Sequence, residues 1–454
     1  MLLNKKIRYG VTLVLLCVSG IAYAAYSQPA EVVVMRTEHG FEPSRIFIHK
    51  GDTVTFVSSA TDFWPASDSH PTHTLYPEFD STRALASGER WSFTFNHAGV
   101  WPFHDHLASG YEGTIFVEGE KGESTEACLK AYGDGTRPQC WEAELVSILN
   151  TEGLNGAFDT VYTWYGQDPE FRKNCHDVMH ILGTRAYAEF LENKTAVDRP
   201  EVSYCGYGFY HGFMETMLIE RGPGGYDEAR EYCEAMTGEK VRGRGPCYHG
   251  IGHALLDSLP SKYWGSGERM ASTSIAMCES FLVNEFERAR CASGVYNALS
   301  NAYGGNDYNI SFDLNGPIPV CATQKEAYQR FCYMEMGNNF IRNHSWDRVQ
   351  SFSFINSYTD LAVRTALMMG YMDTETKRSI NVVNLEEFAG MCMSMPEARV
   401  AEGCITGVLT GLQGLGEPGK EKIRMGGFCE ALSDPHLNGV CQDFLKYGQD
   451  KVVK

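Results

Sequence analysis

The cysteines constrain this chain more than any other feature. Setting Cys17 aside leaves fourteen of the fifteen: Cys128, Cys140, Cys175, Cys205, Cys233, Cys247, Cys278, Cys291, Cys321, Cys332, Cys392, Cys404, Cys429 and Cys441. Taken as consecutive pairs, six of the seven enclose ten to thirteen residues, and Cys175/Cys205 encloses more. An even set at regular spacing is the pattern of a disulfide framework formed in an oxidising compartment. Nearest-neighbour pairing is the simplest proposal, although spacing does not fix connectivity. No Cys-x-x-Cys occurs, which removes thioredoxin-type, haem-attachment and zinc-ribbon readings.

The N-terminus agrees with export. Asn4-Lys5-Lys6-Ile7-Arg8 is basic, an apolar run extends from about Val11 to Ala22, and Ala22-Tyr23-Ala24 fits a cleavage site. The run is shorter than the roughly 20 residues a bilayer span needs. Residues 1–25 are therefore expected to be a signal peptide, with a retained N-terminal anchor as the alternative. Cys17 follows Leu16, where a lipidation site would want a small residue. The expected location is periplasmic, extracellular or anchored to the outer side of a membrane, with membrane contact only through residues 1–25. The net charge of −18 excludes nucleic acid as a partner, because phosphate binding needs clustered Lys and Arg.

Residues 28–119 contain no cysteine and read as short strands separated by Gly-containing turns. Glu31-Val-Val-Val-Met-Arg36, Ser44-Arg-Ile-Phe-Ile-His49, Thr53-Val-Thr-Phe-Val57, Trp91-Ser-Phe-Thr-Phe95 and Gly113-Thr-Ile-Phe-Val117 are the strand candidates. Lys50-Gly51-Asp52, Ser87-Gly88-Glu89 and His97-Ala-Gly99 are the turns. So many short strands in about 90 residues indicate a β-sandwich. The motifs Phe41-Glu-Pro-Ser, Lys50-Gly-Asp-Thr-Val-Thr-Phe56, Gly88-Glu and Ala98-Gly-Val-Trp-Pro-Phe-His104 resemble the cupredoxin family in content and order. The resemblance implies a Greek-key sandwich with one metal-binding His on a mid-chain loop and the remaining ligands just before the last strand.

The chain supplies His70-Pro-Thr-His73 in the first place and His104-Asp-His106 in the second. These look like the His-Pro-x-His and His-Cys-His of multicopper oxidases, with Asp105 where the Cys would stand. A blue-copper centre needs a Cys thiolate, so that type is excluded. An imidazole-rich site remains, suited to copper and less so to zinc or nickel. The expected ligands are His73, His104 and His106, with His70 a fourth ligand or close neighbour. Asp105 is expected as a carboxylate ligand or as a partner that fixes a His tautomer. Tyr111 stands near the usual axial Met position and would be a weak ligand at most. His39, His49 and His97 fit no ligand pattern.

Residues 120–127 are polar and read as a linker. From 128 to 447 the pattern becomes helical, and four second-pair cysteines open similar segments: Cys205-Gly-Tyr-Gly208, Cys247-Tyr-His-Gly250, Cys291-Ala-Ser-Gly294 and Cys404-Ile-Thr-Gly407. These are degenerate repeats, each a helix, a stapled loop and a helix, and such units stack because none buries its apolar face alone. Small residues at the recurring position allow helices to approach closely. The expected fold class is thus multi-domain β + α: a cupredoxin-like sandwich followed by a disulfide-stapled helical repeat domain.

Histidines gather in the first repeats: His176-Asp-Val-Met-His180, His211 and His249-Gly-Ile-Gly-His253. Pairs four apart share a helix face and can bind a metal, so His176, His180, His211, His249 and His253 are a candidate second site. Asp177 and Glu215 are the carboxylates that would accompany it. Neither pair is His-Glu-x-x-His, so the zinc-protease reading fails on its general base. The alternative is that these are packed helix histidines bonded to neighbouring repeats.

The leading functional reading is an exported copper-binding protein serving copper handling or electron transfer, with a redox or copper-handling protein as partner. The alternatives are a copper-dependent oxidoreductase with a His-ligated, type 2-like site, or a protein-binding helical platform whose metal is structural.

Overall fold

The computed structural model describes residues 31–448 except 59–60, 69–72, 74, 119–123, 133–136, 195, 237–242, 313–315, 380–383 and 416–419, and the side chains of 127, 128, 131 and 132. The expected signal segment, Cys17, His70 and the Cys128 half of the first disulfide lie outside the described residues.

Eight strands form two four-stranded sheets. They are β1 (Glu31–Thr37), β2 (Gly40–Glu42), β3 (Arg45–His49), β4 (Thr53–Ser58), β5 (Pro65–Ser67), β6 (Arg90–Thr94), β7 (Gly99–Asp105) and β8 (Ala108–Glu118). One sheet runs β2-β1-β4-β6 and the other β3-β8-β7-β5, with β1/β4 and β3/β8 parallel. The alternation in β3 puts Ile46 and Ile48 inside and Phe47 outside, as a strand with one buried face requires. Between the sheets Phe103 packs edge-on to Phe41 and Phe56, at ring-centroid distances of 4.8 and 5.2 Å. The Greek-key sandwich expected from the sequence is present. Gly51 turns the chain between β3 and β4 at φ +94°, a value that L side chains rarely adopt.

The rest is helical. Three helices lead in: α1 (Thr125–Tyr132), α2 (Arg137–Gln167) and α3 (Pro169–Asn174). A row of long helices follows: α4 (His176–Asn193), α5 (Tyr204–Arg221), α7 (Arg244–Asp257), α9 (Glu285–Gly305), α11 (Glu326–Asn343), α13 (Leu361–Arg378) and α15 (Ala398–Gly414). Between them lie α6 (Tyr226–Glu234), α8 (Gly267–Phe281), α10 (Ile318–Ala322), α12 (Arg348–Asn356) and α14 (Leu385–Met393). After α15, the chain ends in α16 (Glu421–Glu430) and α17 (Pro435–Tyr447).

Six of the disulfides proposed from spacing are formed. Cys175–Cys205 ties the start of α4 to that of α5. Cys233–Cys247, Cys278–Cys291, Cys321–Cys332, Cys392–Cys404 and Cys429–Cys441 each join a shorter helix to the next in the chain. Closing a loop of this size stabilises a fold by about 3 kcal/mol. A framework of this kind is typical of proteins folded in an oxidising compartment. Among the described residues no helix is long and apolar enough to cross a membrane.

Each long helix packs on the next in the row, and glycine sets the separation. A Cβ added to Gly208, Gly250, Gly294 or Gly407 would lie 2.3, 2.6, 1.9 or 2.4 Å from a carbonyl oxygen of the adjacent helix. These are the four glycines of the recurring Cys-x-x-Gly segments. Gly294→Ala is therefore expected to force α7 and α9 apart and cost about 1–3 kcal/mol or more. Gly439→Ala, with nothing within 4 Å of its Cβ, is expected to be neutral or to stabilise by up to about 1 kcal/mol. Chemical denaturation of the two variants checks the contrast, and equal stabilities would contradict it.

The row also curls. The Tyr165 hydroxyl of α2 donates to the Leu415 carbonyl after α15 at 3.4 Å, and a Cβ on Gly206 would sit 3.7 Å from the Gly414 carbonyl. The far end of the array thus returns to its beginning, and the open stacking of a solenoid is replaced by a curled array with an inner face.

The sandwich is docked on this array. α2 packs on β7 and β8, and the Asn150 amide donates to the Glu118 carboxylate at 2.9 Å. Trp264 lies between Tyr111 and Tyr308, with centroids at 4.6 and 5.3 Å. A Cβ on Gly110 would overlap the Tyr308 ring at 2.1 Å.

Candidate metal centre

Two groups of histidines come together, one in each part. In the sandwich, His73, His104 and His106 bring one nitrogen each within 4.8 Å of the others. His104 is the penultimate residue of β7, whose register with β8 slips between His104 and Asp105. A bulge re-aims side chains, and here His104 and His106, two residues apart on the chain, serve one site. His73 joins them from the loop after β5.

Carboxylates orient two of the rings. His73 Nδ1 is 2.6 Å from Asp80 Oδ2 and His104 Nδ1 is 2.7 Å from Asp68 Oδ1. With Nδ1 so occupied, Nε2 is the nitrogen placed for a ligand role. His73 Nε2 lies 2.9 Å from His106 Nδ1, a spacing that a shared proton or a metal ion satisfies. Burial lowers the affinity of His106 for a proton, and the His73 and His104 rings lower it further. Trp64 covers His106 at a centroid distance of 4.5 Å and donates from its indole nitrogen to Asp80 at 2.6 Å. A donor set of imidazoles fits copper, and also zinc or nickel.

One expectation is corrected. Asp105 is not aimed at the site: its side chain is 1% exposed and pairs with Arg36 at 2.9 Å. It also accepts from the backbone of Trp64 at 2.9 Å and of Leu107 at 3.1 Å. Its charge satisfies a buried cation and two loop amides, so it holds the ligand loop and does not bond to an imidazole. Tyr111 is turned away as well. Its hydroxyl donates to the Glu38 carbonyl at 3.0 Å, and its ring lies under the Arg36 guanidinium at 3.6 Å. His49 is 78% exposed and faces Asp52 and Glu118, apart from the site as expected.

In the helical part, the five candidate histidines converge on the inner face of the array. His176, His180 and His211 form one group, and His211, His249 and His253 a second, with donor atoms within 4.8 Å inside each. Glu215, His253 and Asp257 form a third. Asp177 enters none of these groups. Asp257 escaped the sequence reading, although it stands ten residues after Cys247 as Glu215 stands ten after Cys205. That repeat register was the available signal.

The electrostatics keep most of these rings neutral. Burial, reinforced by His253, pushes His211 and His249 well below the ordinary imidazole value. Burial takes His253 down to about 4, against the pull of Glu215. His176 is lowered by burial and by His180. His180 moves the other way, because the Glu215 carboxylate outweighs burial. Burial would raise Glu215, but His180 holds it at about 2. Burial and the Glu215 charge lift Asp257 to about 8.

The two groups are neighbours across the domain contact. Asp68, which holds His104, faces Asp307 closely enough that burial and the Asp68 charge lift Asp307 to about 6. Next to it Tyr308 donates to Asp257 at 3.3 Å. From the sandwich, the Arg45 guanidinium lowers the Glu215 and Asp257 carboxyls.

No protein-family model matches the chain, and no curated protein does. Among solved structures it is similar to a novel purple cupredoxin from Nitrosopumilus maritimus, at 18% identity over 19% of this chain and 99% of that one, with a TM-score of 0.18. It is similar to a copper-containing nitrite reductase from Thermus scotoductus SA-01, at 24% identity over 20% of this chain and 23% of that one, with a TM-score of 0.18. An oxidised amicyanin mutant shares 21% identity over 21% of this chain and 88% of its own length, again with a TM-score of 0.18.

Proposed function

We propose that this is an exported copper-binding protein whose sandwich holds the metal through His73, His104 and His106. The observation that carries the reading is the meeting of three imidazoles, two of them with Nδ1 tied to a carboxylate, on a sandwich with no cysteine. Copper bound there would be held by nitrogen alone. All-imidazole ligation reorganises more between Cu(II) and Cu(I) than thiolate ligation, which favours copper storage or delivery over fast electron transfer. The exported location rests on the disulfide framework and on the expected signal segment.

The copper-loaded full chain is expected to pass its metal to a competing chelator while exchanging electrons slowly with a small redox mediator. Stopped-flow measurement of both rates decides it, and fast electron exchange with retained copper would contradict the delivery role. A second reading, a copper-dependent oxidoreductase, is favoured by the way Asp105 and Tyr111 turn away from the site. In that case azide added to the Cu(II) form occupies a ligand position and changes its EPR spectrum.

A further inference from the structure

We propose that the inner face of the helical array holds a second metal centre, a pair of transition-metal ions bound by His176, His180, His211, His249, His253 and Glu215, with Asp257 beside them.

Packed structural histidines satisfy both ring nitrogens, since a buried polar atom without a partner costs about 1–3 kcal/mol. That is not so here. His211 is 5% exposed and its Nδ1 has no hydrogen-bond partner. His253 is 6% exposed and its Nε2 makes no hydrogen bond of normal geometry, with the Asn297 side chain nearby. His180 and His176 turn Nε2 to Nε2 at 3.3 Å, a spacing that a shared proton or a shared ion satisfies.

The later helices show that the fold does not require histidines on this face. The positions six and ten after the second-pair cysteine are His211 and Glu215 in α5, His253 and Asp257 in α7, and Asn297 and Asn301 in α9. In α9 the side chains are matched: Asn297 donates to Glu335 at 2.8 Å, Ser293 to Glu335 at 2.7 Å, and Asn301 accepts from Asn339 at 2.8 Å. One part of the inner face is thus closed by its own hydrogen bonds. The histidine part is left with unmet nitrogens.

The number of donors sets the number of ions. Five imidazoles and two carboxylates are too many for one ion, which takes three or four protein ligands in such sites. They suffice for two. His176, His180 and His211 make one set. His211, His249 and His253 make the other, with Glu215 and Asp257 grouped on His253, and His211 is shared between the two sets with ring centroids 5.0 Å from His176 and 4.3 Å from His253. The spacing fits, because two donors about 2.1 Å from one ion lie at most about 4.2 Å apart, and the donor atoms need to close only slightly from 4.8 Å.

Ring orientation is supplied too. The Cys205 carbonyl accepts from His176 Nδ1 at 2.8 Å, which leaves Nε2 for a ligand role. That carbonyl is aimed by three consecutive left-handed residues, Cys205, Gly206 and Tyr207, at φ 57°, 67° and 64°. Two of the three are not glycine, and left-handed backbone costs such residues roughly 1–2 kcal/mol each. Beside His176 lies a cavity of about 150 Å³, lined also by Tyr165, Arg172, Lys173, Lys377 and Leu415.

The test uses the full chain carrying His104→Ala/His106→Ala, so that the sandwich site is removed and its failure or success is read separately, from the difference to the unmodified chain. Dialysed against Zn(II) and measured by elemental analysis, this variant is expected to keep about two zinc ions per molecule. Adding His249→Gln, at a half-buried position, is expected to lower that number to about one or less with an unchanged circular-dichroism spectrum. If that variant misfolds, His176→Gln replaces it with the same expectation. One zinc ion or none before the second substitution, or two after it, overturns the proposal.

Discussion

Replacing Arg36 by Met is expected to remove about 3–5 kcal/mol of stability, the usual cost of leaving one member of a buried ion pair without its partner. Arg36 and Asp105 side chains are 6% and 1% exposed, so solvent cannot take over the lost interaction. The guanidinium also bonds the Thr37 carbonyl and covers the Tyr111 ring. A loss of this size is a large part of the 5–15 kcal/mol that holds a typical domain together. The companion variant separates charge from packing. Arg36→Met/Asp105→Asn removes both charges but keeps an oxygen for the Trp64 and Leu107 amides, and is expected to regain more than half of the loss. Urea unfolding of the two variants measures this, and a double variant no more stable than Arg36→Met would contradict the ion-pair account. Since His104 and His106 flank Asp105, weaker copper binding is expected to accompany the single variant.

His104→Ala is expected to weaken copper binding at the sandwich site by more than the 10–100-fold typical of losing a partner behind a ligand. The ring is 1% exposed, sits at the penultimate position of β7 and is held by Asp68, so its loss removes a fixed donor from the site. Asp80→Asn is expected to stay within that 10–100-fold range, because it alters the His73 contact and the Trp64 contact but removes no donor. Competition titration with a copper chelator ranks the two. A larger effect for Asp80→Asn than for His104→Ala would mean that His104 is not a ligand.

Features set by short chain distances were legible in the sequence. The six disulfides that the structure describes follow nearest-neighbour spacing because each closes a loop small enough for its two helices to meet. The glycines three residues after Cys205, Cys247, Cys291 and Cys404 announced close helix contacts, and each sits against a neighbouring carbonyl. His73, His104 and His106 were found by their order along a strand pattern. Features set by distant chain segments were not legible. The position of Asp105 between two histidines points to a ligand or a partner that fixes a His tautomer, yet its actual partner Arg36 lies 69 residues away. Asp68 and Asp80 were missed because no spacing distinguishes a carboxylate behind a ligand from one in solvent. The curl of the array depends on the sum of many small helix rotations, so the meeting of Tyr165 with Leu415 could not be read from any one repeat. His176 and His253 could be placed on helix faces, but whether those faces met was decided only by that curl.

The central claim is that copper is held in the sandwich by imidazole nitrogen without thiolate. Its most direct test is EPR of the full chain with one equivalent of Cu(II), compared with His104→Ala/His106→Ala under the same conditions. The account predicts an axial, type 2-like spectrum with imidazole nitrogen couplings that the double variant loses. An identical spectrum in the double variant, or no copper retained by either protein, would contradict it.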